Sequence, residues 1–282
     1  MNNTLDFNRL GKVIKHDGAS FAQNLGLALI ILWSIPLVIW LFSSLTPGND
    51  HIDPYSRISI ISTLGTILLI MAPARLYKYC NDSRQGIGYA MMPASSLEKF
   101  LSMVFYCVIV APIIYLAGAL AIDSILSVLG GPYEGFAISD YFNILSQLRD
   151  TLRYKAMMSD DGCTLLLSCI SPTTIVFSKI LSILTLSSIF MFGNMVFKKY
   201  KTGKMIGVLI LLFIIIMIIM VNYVVNHEDQ ISRWFRYVDE EEAKYVIIRI
   251  IITLKNVSLI FSAVVSVVML WLTYYKIKTQ KY

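Results

Sequence analysis

Read from the N-terminus, the chain alternates long apolar runs with short polar connectors, and the apolar runs are the length of a membrane crossing. A spanning helix needs about 20 mainly apolar residues, because the hydrocarbon core is roughly 30 Å thick and each helical residue rises about 1.5 Å. On that ruler the pattern predicts spans at Asn24 to Thr46, Ile58 to Ala74, Phe100 to Leu126, Pro172 to Phe197, Met205 to Val225 and Asn256 to Tyr275. The fifth is apolar almost without interruption. The second is the shortest and carries Pro73 near its end. The expected fold is therefore all-α: a polytopic integral membrane protein with six transmembrane helices in a single membrane domain spanning residues 1–282.

Composition agrees. Hydrophobic residues make up 56% of the chain and charged residues 15%, against about 25% charged in a globular protein, and mean hydropathy is +0.67. With an even number of spans both termini share one side, and charge says which. Segments 1–23, 74–99, 198–204 and 276–282 hold 14 of the 24 basic residues and 4 of the 18 acids, a balance of +10 that leaves −4 elsewhere. Lys and Arg beside a span resist translocation, so these segments and both termini are expected to be cytoplasmic. The excess of cations follows from topology and anionic headgroups, and no basic run is interleaved with aromatics in the manner of a nucleic-acid surface. Leu25 to Leu45 is too long for a signal-peptide core of about 7 to 15 residues and is expected to remain as an anchor.

The connectors carry their own signals. In 1–23, Leu5, Leu10, Val13, Ile14 and Phe21 recur as one helical face beside Arg9, Lys12 and Lys15. That pattern suits an amphipathic segment in the headgroup plane, while Gly11 and Gly18 weaken the helix and equally suit a charged tail. In 74–99, Asn81, Asp82, Gly86 and Gly88 punctuate the chain. Ser95 and Glu98 then form an S-x-x-E capping box at the restart of a helix. The outer segment 127–171 opens with a Gly130-to-Gly135 turn and continues with Ile138, Tyr141, Phe142, Leu145, Leu148 and Leu152 at helical spacing, with Ser139 as the expected cap. The outer segment 226–255 joins acids at Asp239 to Glu242 with Trp234, Phe235 and Tyr237, which fit an interfacial aromatic belt.

Enzymatic chemistry is not expected in this chain. A P-loop needs G-x-x-x-x-G-K-[ST], and Gly203-Lys204 is followed by Met205 without the earlier glycine. His16, His51 and His227 are scattered, and His227-Glu228 lacks the second histidine of H-E-x-x-H, so no metal site is read. Asp123 is the one acid within the spans, without the partner an aspartyl protease requires, and is read as interfacial. Lys179 lies in the fourth span, where its stem can snorkel to the outer interface or its ammonium can line a polar transport path. Of the four cysteines, Cys80 is expected as a free thiol. Cys163 and Cys169 are outer residues for which a disulfide and two thiols both stay open.

The run Met92-Pro93-Ala94-Ser95-Ser96-Leu97-Glu98-Lys99-Phe100, Gly193 followed by Phe197-Lys198-Lys199, and the ending from Tyr274-Tyr275-Lys276 resemble a group of little-characterised six-span bacterial membrane proteins, which in turn resemble permease subunits of type-2 ABC exporters. The resemblance implies a bacterial inner-membrane exporter subunit that works as a homodimer or heterodimer of membrane subunits. A separate ATP-binding-cassette ATPase would bind the ATP, and this chain would hold no cofactor. Loop 74–99 would be the elbow pushed by that ATPase, with Arg75, Lys78, Arg84, Ser95, Ser96 and Glu98 at the contact. A non-transporting membrane sensor or envelope assembly protein is the alternative from a different class.

Overall fold

The computed structural model describes residues 5–46, 52–81, 89, 91–130, 132–133, 135–143, 146–147, 150, 172–227 and 240–279. Among them there are helices and no strand. Six helices are long and apolar enough to cross a membrane: α1 (Phe7–Leu45), α2 (Pro54–Leu76), α3 (Ser96–Leu129), α4 (Pro172–Val196), α5 (Lys201–Asn226) and α6 (Glu240–Thr279). Each covers one of the six predicted spans, with Thr46 and Phe197 falling one residue beyond α1 and α4. The chain is thus an all-helical, multi-pass membrane protein.

Local chemistry sets the ends of these helices. Asp6 caps α1, its carboxylate accepting from Asn8 N at 2.9 Å. Pro54 opens α2, where a missing N–H costs nothing, and Pro73 sits in the last turn. α3 is α-helical at Ser96–Val104 and Ala111–Leu129, with a π turn at Phe105–Val110 between them. The turn ends two residues before Pro112, whose ring and absent N–H disturb the regular bonding that the wider π turn accommodates.

Two compact units divide the chain: residues 1–146, 183–202 and 266–282, and residues 147–182 and 203–265. The core of the first unit is built from α1, α2, α3 and the C-terminal part of α4, with Leu25, Leu68, Met103, Ala111, Met191 and Met195 almost wholly buried. Mid-helix contact between α1 and α3 is close. An added Cβ at Gly118 would overlap the Trp33 ring, and Trp33 Nε1 donates to Tyr115 O at 3.1 Å. Small residues permit such approaches where lipid supplies no hydrophobic drive between helices.

In the second unit, α5 from Val208 to Val225 exposes every large apolar side chain but Leu209, as a lipid-facing helix does. At its end His227 stacks on Tyr223, with ring centroids 4.3 Å apart. Lys179 is exposed beside Val176, Phe177 and Ile180.

Several expectations change. Residues 7–23 continue α1 without a break, and Val13, Asp17 and Phe21 are buried in the first unit. At the outer segment the helical turn starts at residue 137, so Ser139 lies inside it and its Oγ donates to Phe136 O at 3.1 Å; Ser139 is not the cap. Leu145, Leu148, Leu152, Cys163, Cys169, Trp234, Phe235, Tyr237 and Asp239 lie outside the described residues.

A candidate partner-binding elbow at the basic end

The sequence segments richest in cations meet at one end of the first unit, and Glu98 is the centre of that junction. The predicted capping box is present: Glu98 N donates to Ser95 Oγ at 3.2 Å, and Ser95 N donates to Glu98 Oε2 at 2.8 Å. The same carboxylate reaches a second helix, since Oε1 accepts from Asp6 N at 2.9 Å and lies 3.3 Å from Arg9 Nη2. One buried acid therefore holds the starts of α3 and α1 together.

Asp17 is a second cross-link. It lies two helical turns beyond Arg9, and its Oδ2 accepts from Tyr77 Oη at 3.0 Å and from Ser102 Oγ at 2.6 Å. Its Oδ1 is 3.4 Å from His16 Nδ1. These bonds join α1 to the end of α2 and to α3. Beside them Tyr106 Oη donates to Ile14 O at 2.7 Å, and an added Cβ at Gly18 would lie 2.7 Å from that hydroxyl. Gly18 is thus an approach site rather than a helix break.

The loop itself is held by its carbonyls. After α2 comes a 3-10 turn at Lys78–Asn81. Asn194 Nδ2 donates to Tyr77 O at 3.2 Å, Lys201 Nζ to Lys78 O at 2.8 Å, and Lys99 Nζ to Tyr89 O at 2.6 Å. Lysine heads from α3 and α5 thereby grip the loop from both directions. Cys80 is buried under this turn, and desolvation pushes its thiol up to about 12, Lys201 opposing the shift only in part. Tyr77 is likewise raised well above the usual phenol value, by burial first and then by the Asp17 carboxylate.

The residues assigned to a partner ATPase fall into two groups. Ser95 and Glu98 are buried and engaged within the chain, so they shape the elbow and offer no surface. Arg75 and Lys78 are exposed, and Ser96 is half-buried. Arg84 lies outside the described residues. Lys198 and Lys199 add exposed cations at the same end. Lys179, the candidate for a transport path, belongs to the second unit and takes no part in this junction.

At the opposite end of the first unit stands an ion pair that sequence reasoning missed. Arg57, 1% exposed, donates to Asp123 Oδ1 through Nη2 at 2.7 Å and through Nε at 3.3 Å. Asp140 lies 3.6 Å from Nη1, and the Tyr133 ring lies under the guanidinium at 4.4 Å. Asp123 Oδ2 accepts from Ala137 N at 2.9 Å. Asp123 is a buried anchor for α2 and the following loop rather than an interfacial acid. The signal available in sequence was Arg57 itself, one residue before an apolar run.

Among the described residues no cluster of His, Cys, Asp and Glu has the make-up of a metal centre. Comparison of the chain with protein-family models, curated proteins and solved structures gives no match.

Proposed function

We propose that this chain is the membrane-spanning subunit of an ATP-driven exporter of the type-2 ABC kind, seated in a bacterial inner membrane with its basic end in the cytoplasm. A separate ATP-binding-cassette ATPase docks on the elbow, and two membrane subunits frame the transport path. The observation that supports this best is the construction of the elbow. Its carbonyls accept from Lys99, Asn194 and Lys201 of α3, α4 and α5, and its Glu98 and Tyr77 side chains bond α1 at Asp6 N and Asp17. A push on the loop between α2 and α3 is therefore passed to several spans at once, while exposed Arg75 and Lys78 remain for an acidic partner face. The buried apolar core of the first unit favours a path between subunits over one through this unit. Cation balance supplies the sidedness.

Purification of the tagged chain from its native membrane tests the assignment. A P-loop ATPase, identified by mass spectrometry and by its own hydrolysis, is expected with the wild type and is expected to be lost from Arg75→Glu/Lys78→Glu. Equal capture by the charge-reversed chain sinks the docking surface. Capture followed by no ATP-dependent efflux from reconstituted vesicles turns the assignment toward a membrane sensor or assembly protein.

A further inference from the structure

Where α1 runs past the elbow, a cleft of about 330 Å³ opens between Arg9, Lys12, Val13 and His16 on one side and Met92 and Pro93 on the other. Its size is at the small end of ligand sites, which run from about 300 to 1,000 Å³. Arg9, Lys12 and His16 stand at helical spacings of three and four, so three basic side chains line one wall. Their charges are not equivalent. Arg9 shares its guanidinium between Asp6, at 3.5 Å, and Glu98, at 3.3 Å. His16 turns Nδ1 toward Asp17, at 3.4 Å, which leaves Nε2 for another partner. Lys12 is exposed and makes no ion pair among the described residues. A cleft with one uncompensated ammonium, a guanidinium edge, an imidazole and an apolar wall suits an oxyanion carried on a small apolar body.

Such an anion has two sources, a lipid headgroup and a soluble ligand. Gln23 is exposed and Asn24 half-buried, and Leu27 is the first large apolar side chain of the span open to lipid, at 65% exposure. From Asn24 back to His16 is about 12 Å of helix, and back to Arg9 about 22 Å, at about 1.5 Å per residue. The headgroup layer is only about 5 to 7 Å deep on each side, and a tilt of about 20° shortens those distances little. The other two helices bring the boundary nearer to the cleft, because Tyr77, just after the second span, and Ser102, just inside the third, both bond Asp17; the cleft therefore runs outward from the headgroup layer and is open to both sources.

We propose that this cleft binds a phosphate group carried on a small apolar body, with Lys12 and Arg9 as its cations and Met92 and Pro93 as the wall for the apolar part. The bound ligand bridges α1 and the elbow, and so fixes their separation. This site does not depend on the exporter assignment.

Binding of phenyl phosphate and of inorganic phosphate to the full chain in phosphatidylcholine nanodiscs, at constant ionic strength, tests the idea. Saturable binding is expected, tighter for phenyl phosphate. Loss of one charge-assisted contact in Lys12→Ala weakens it about tenfold or more. Lys198→Ala, which alters an exposed cation outside the cleft, leaves affinity as it is. Lys12 is chosen because its side chain is exposed and unpaired, whereas replacing Arg9 disturbs the Glu98 junction. Absence of saturable binding by the wild type, or equal affinity in Lys12→Ala, overturns the proposal. Nanodiscs containing phosphatidylglycerol form the second arm. If that lipid displaces phenyl phosphate, and Lys12→Ala abolishes lipid retention, the phosphate the cleft takes is a headgroup's; if the lipid leaves phenyl phosphate binding unchanged, it is a soluble ligand's.

Discussion

Glu98→Ala is the sharpest perturbation of the basic end, because three contacts leave with one side chain. Glu98 is 0% exposed and Ser95 is 5% exposed, so removing Oε2 strands the Ser95 N–H in a site that water does not reach. That donor was bonded to a carboxylate, and its loss costs about 2 to 3 kcal/mol. Asp6 is exposed, so its N–H finds water and the cost there is about 0.5 to 1 kcal/mol. Arg9 is 36% exposed and already pairs with Asp6, which holds its share to about 0 to 1 kcal/mol. The total is roughly 2.5 to 5 kcal/mol. Glu98→Gln retains one carbonyl oxygen for one of the two N–H groups and is expected to cost about half as much. Ser96→Ala, next door but outside the network, costs under about 0.5 kcal/mol.

The assay is unfolding by SDS in mixed micelles, followed by far-ultraviolet circular dichroism. A double-mutant cycle of Ser95→Ala and Glu98→Ala adds a second reading. Each removes one half of a reciprocal pair, so the losses are expected to be non-additive by about 0.5 kcal/mol or more. If Glu98→Ala unfolds with Ser96→Ala, or if the cycle is additive, the shared-carboxylate account of the α1 and α3 starts is wrong.

Three other outcomes follow from the same structure. Arg57→Met alone leaves Asp123 buried without its cation and is expected to cost about 3 to 5 kcal/mol, whereas Arg57→Met/Asp123→Leu recovers a large part of that in the same SDS titration. Gly118→Ala drives a methyl group into Trp33 and loses about 1 to 3 kcal/mol, while Gly11→Ala, with open space around it, gains about 0.5 to 1 kcal/mol. Cys80 is expected to resist maleimide in the native protein and to react after denaturation. Its folded thiol sits near 12 against an ordinary 9.0, so the folded state keeps a proton that the unfolded chain releases; the stabilisation is complete below pH 9 and is lost as pH rises toward 12. Rapid native labelling of Cys80 in a Cys80-only chain contradicts its burial.

What the sequence disclosed follows the range of the interactions. The spans were legible because a lipid-crossing helix writes its whole length as one contiguous apolar run, and the capping box because Ser95 and Glu98 are three residues apart. Long-range partners left no local mark. Arg57 and Asp123 are 66 residues apart, Tyr77 and Asp17 60, and Asp6 and Glu98 92. Glycine misled in one place, since Gly18 counts against a helix by propensity yet is set in the middle of a continuous one to admit Tyr106. Ser139 misled in another: the N-cap preference of serine competes with its ability to bond a carbonyl within the first turn, and the latter prevailed. The cations of loop 74–99 were legible as charge but not as role, because burial sorts Lys99 from Lys78 and no pattern of neighbours predicts burial in a loop.

The placement of polar groups within the first unit bears on how it moves. Lipid is as apolar as leucine, so apolar contact alone does not fix which helices pair or at what height. In α1, α2 and α3 that task falls to directional bonds at both ends: Glu98 and Asp17 at the basic end, and at the other Arg57 to Asp123, joining α2 to α3, and Trp40 Nε1 to Gly130 O, joining α1 to the end of α3, with the Trp33 to Gly118 approach between them. Three helices pinned at both ends respond to force as one body. Among the described residues of α3 the departure from regular α-helix is the π turn at Phe105–Val110, which begins less than a turn after Ser102, a partner of Asp17. Tyr106 ties the start of that turn to Ile14 O of α1, so if the elbow is pushed, bending is expected on the C-terminal side of that tie. Replacing Pro112 by Ala removes the reason for the wider turn, so it is expected to straighten α3 and to weaken any coupling between the elbow and the opposite end, read as the distance between spin labels on α3 on either side of the turn. An unchanged distance distribution on partner binding, in both the native chain and Pro112→Ala, shows that the three helices translate as a block and that the π turn is no hinge.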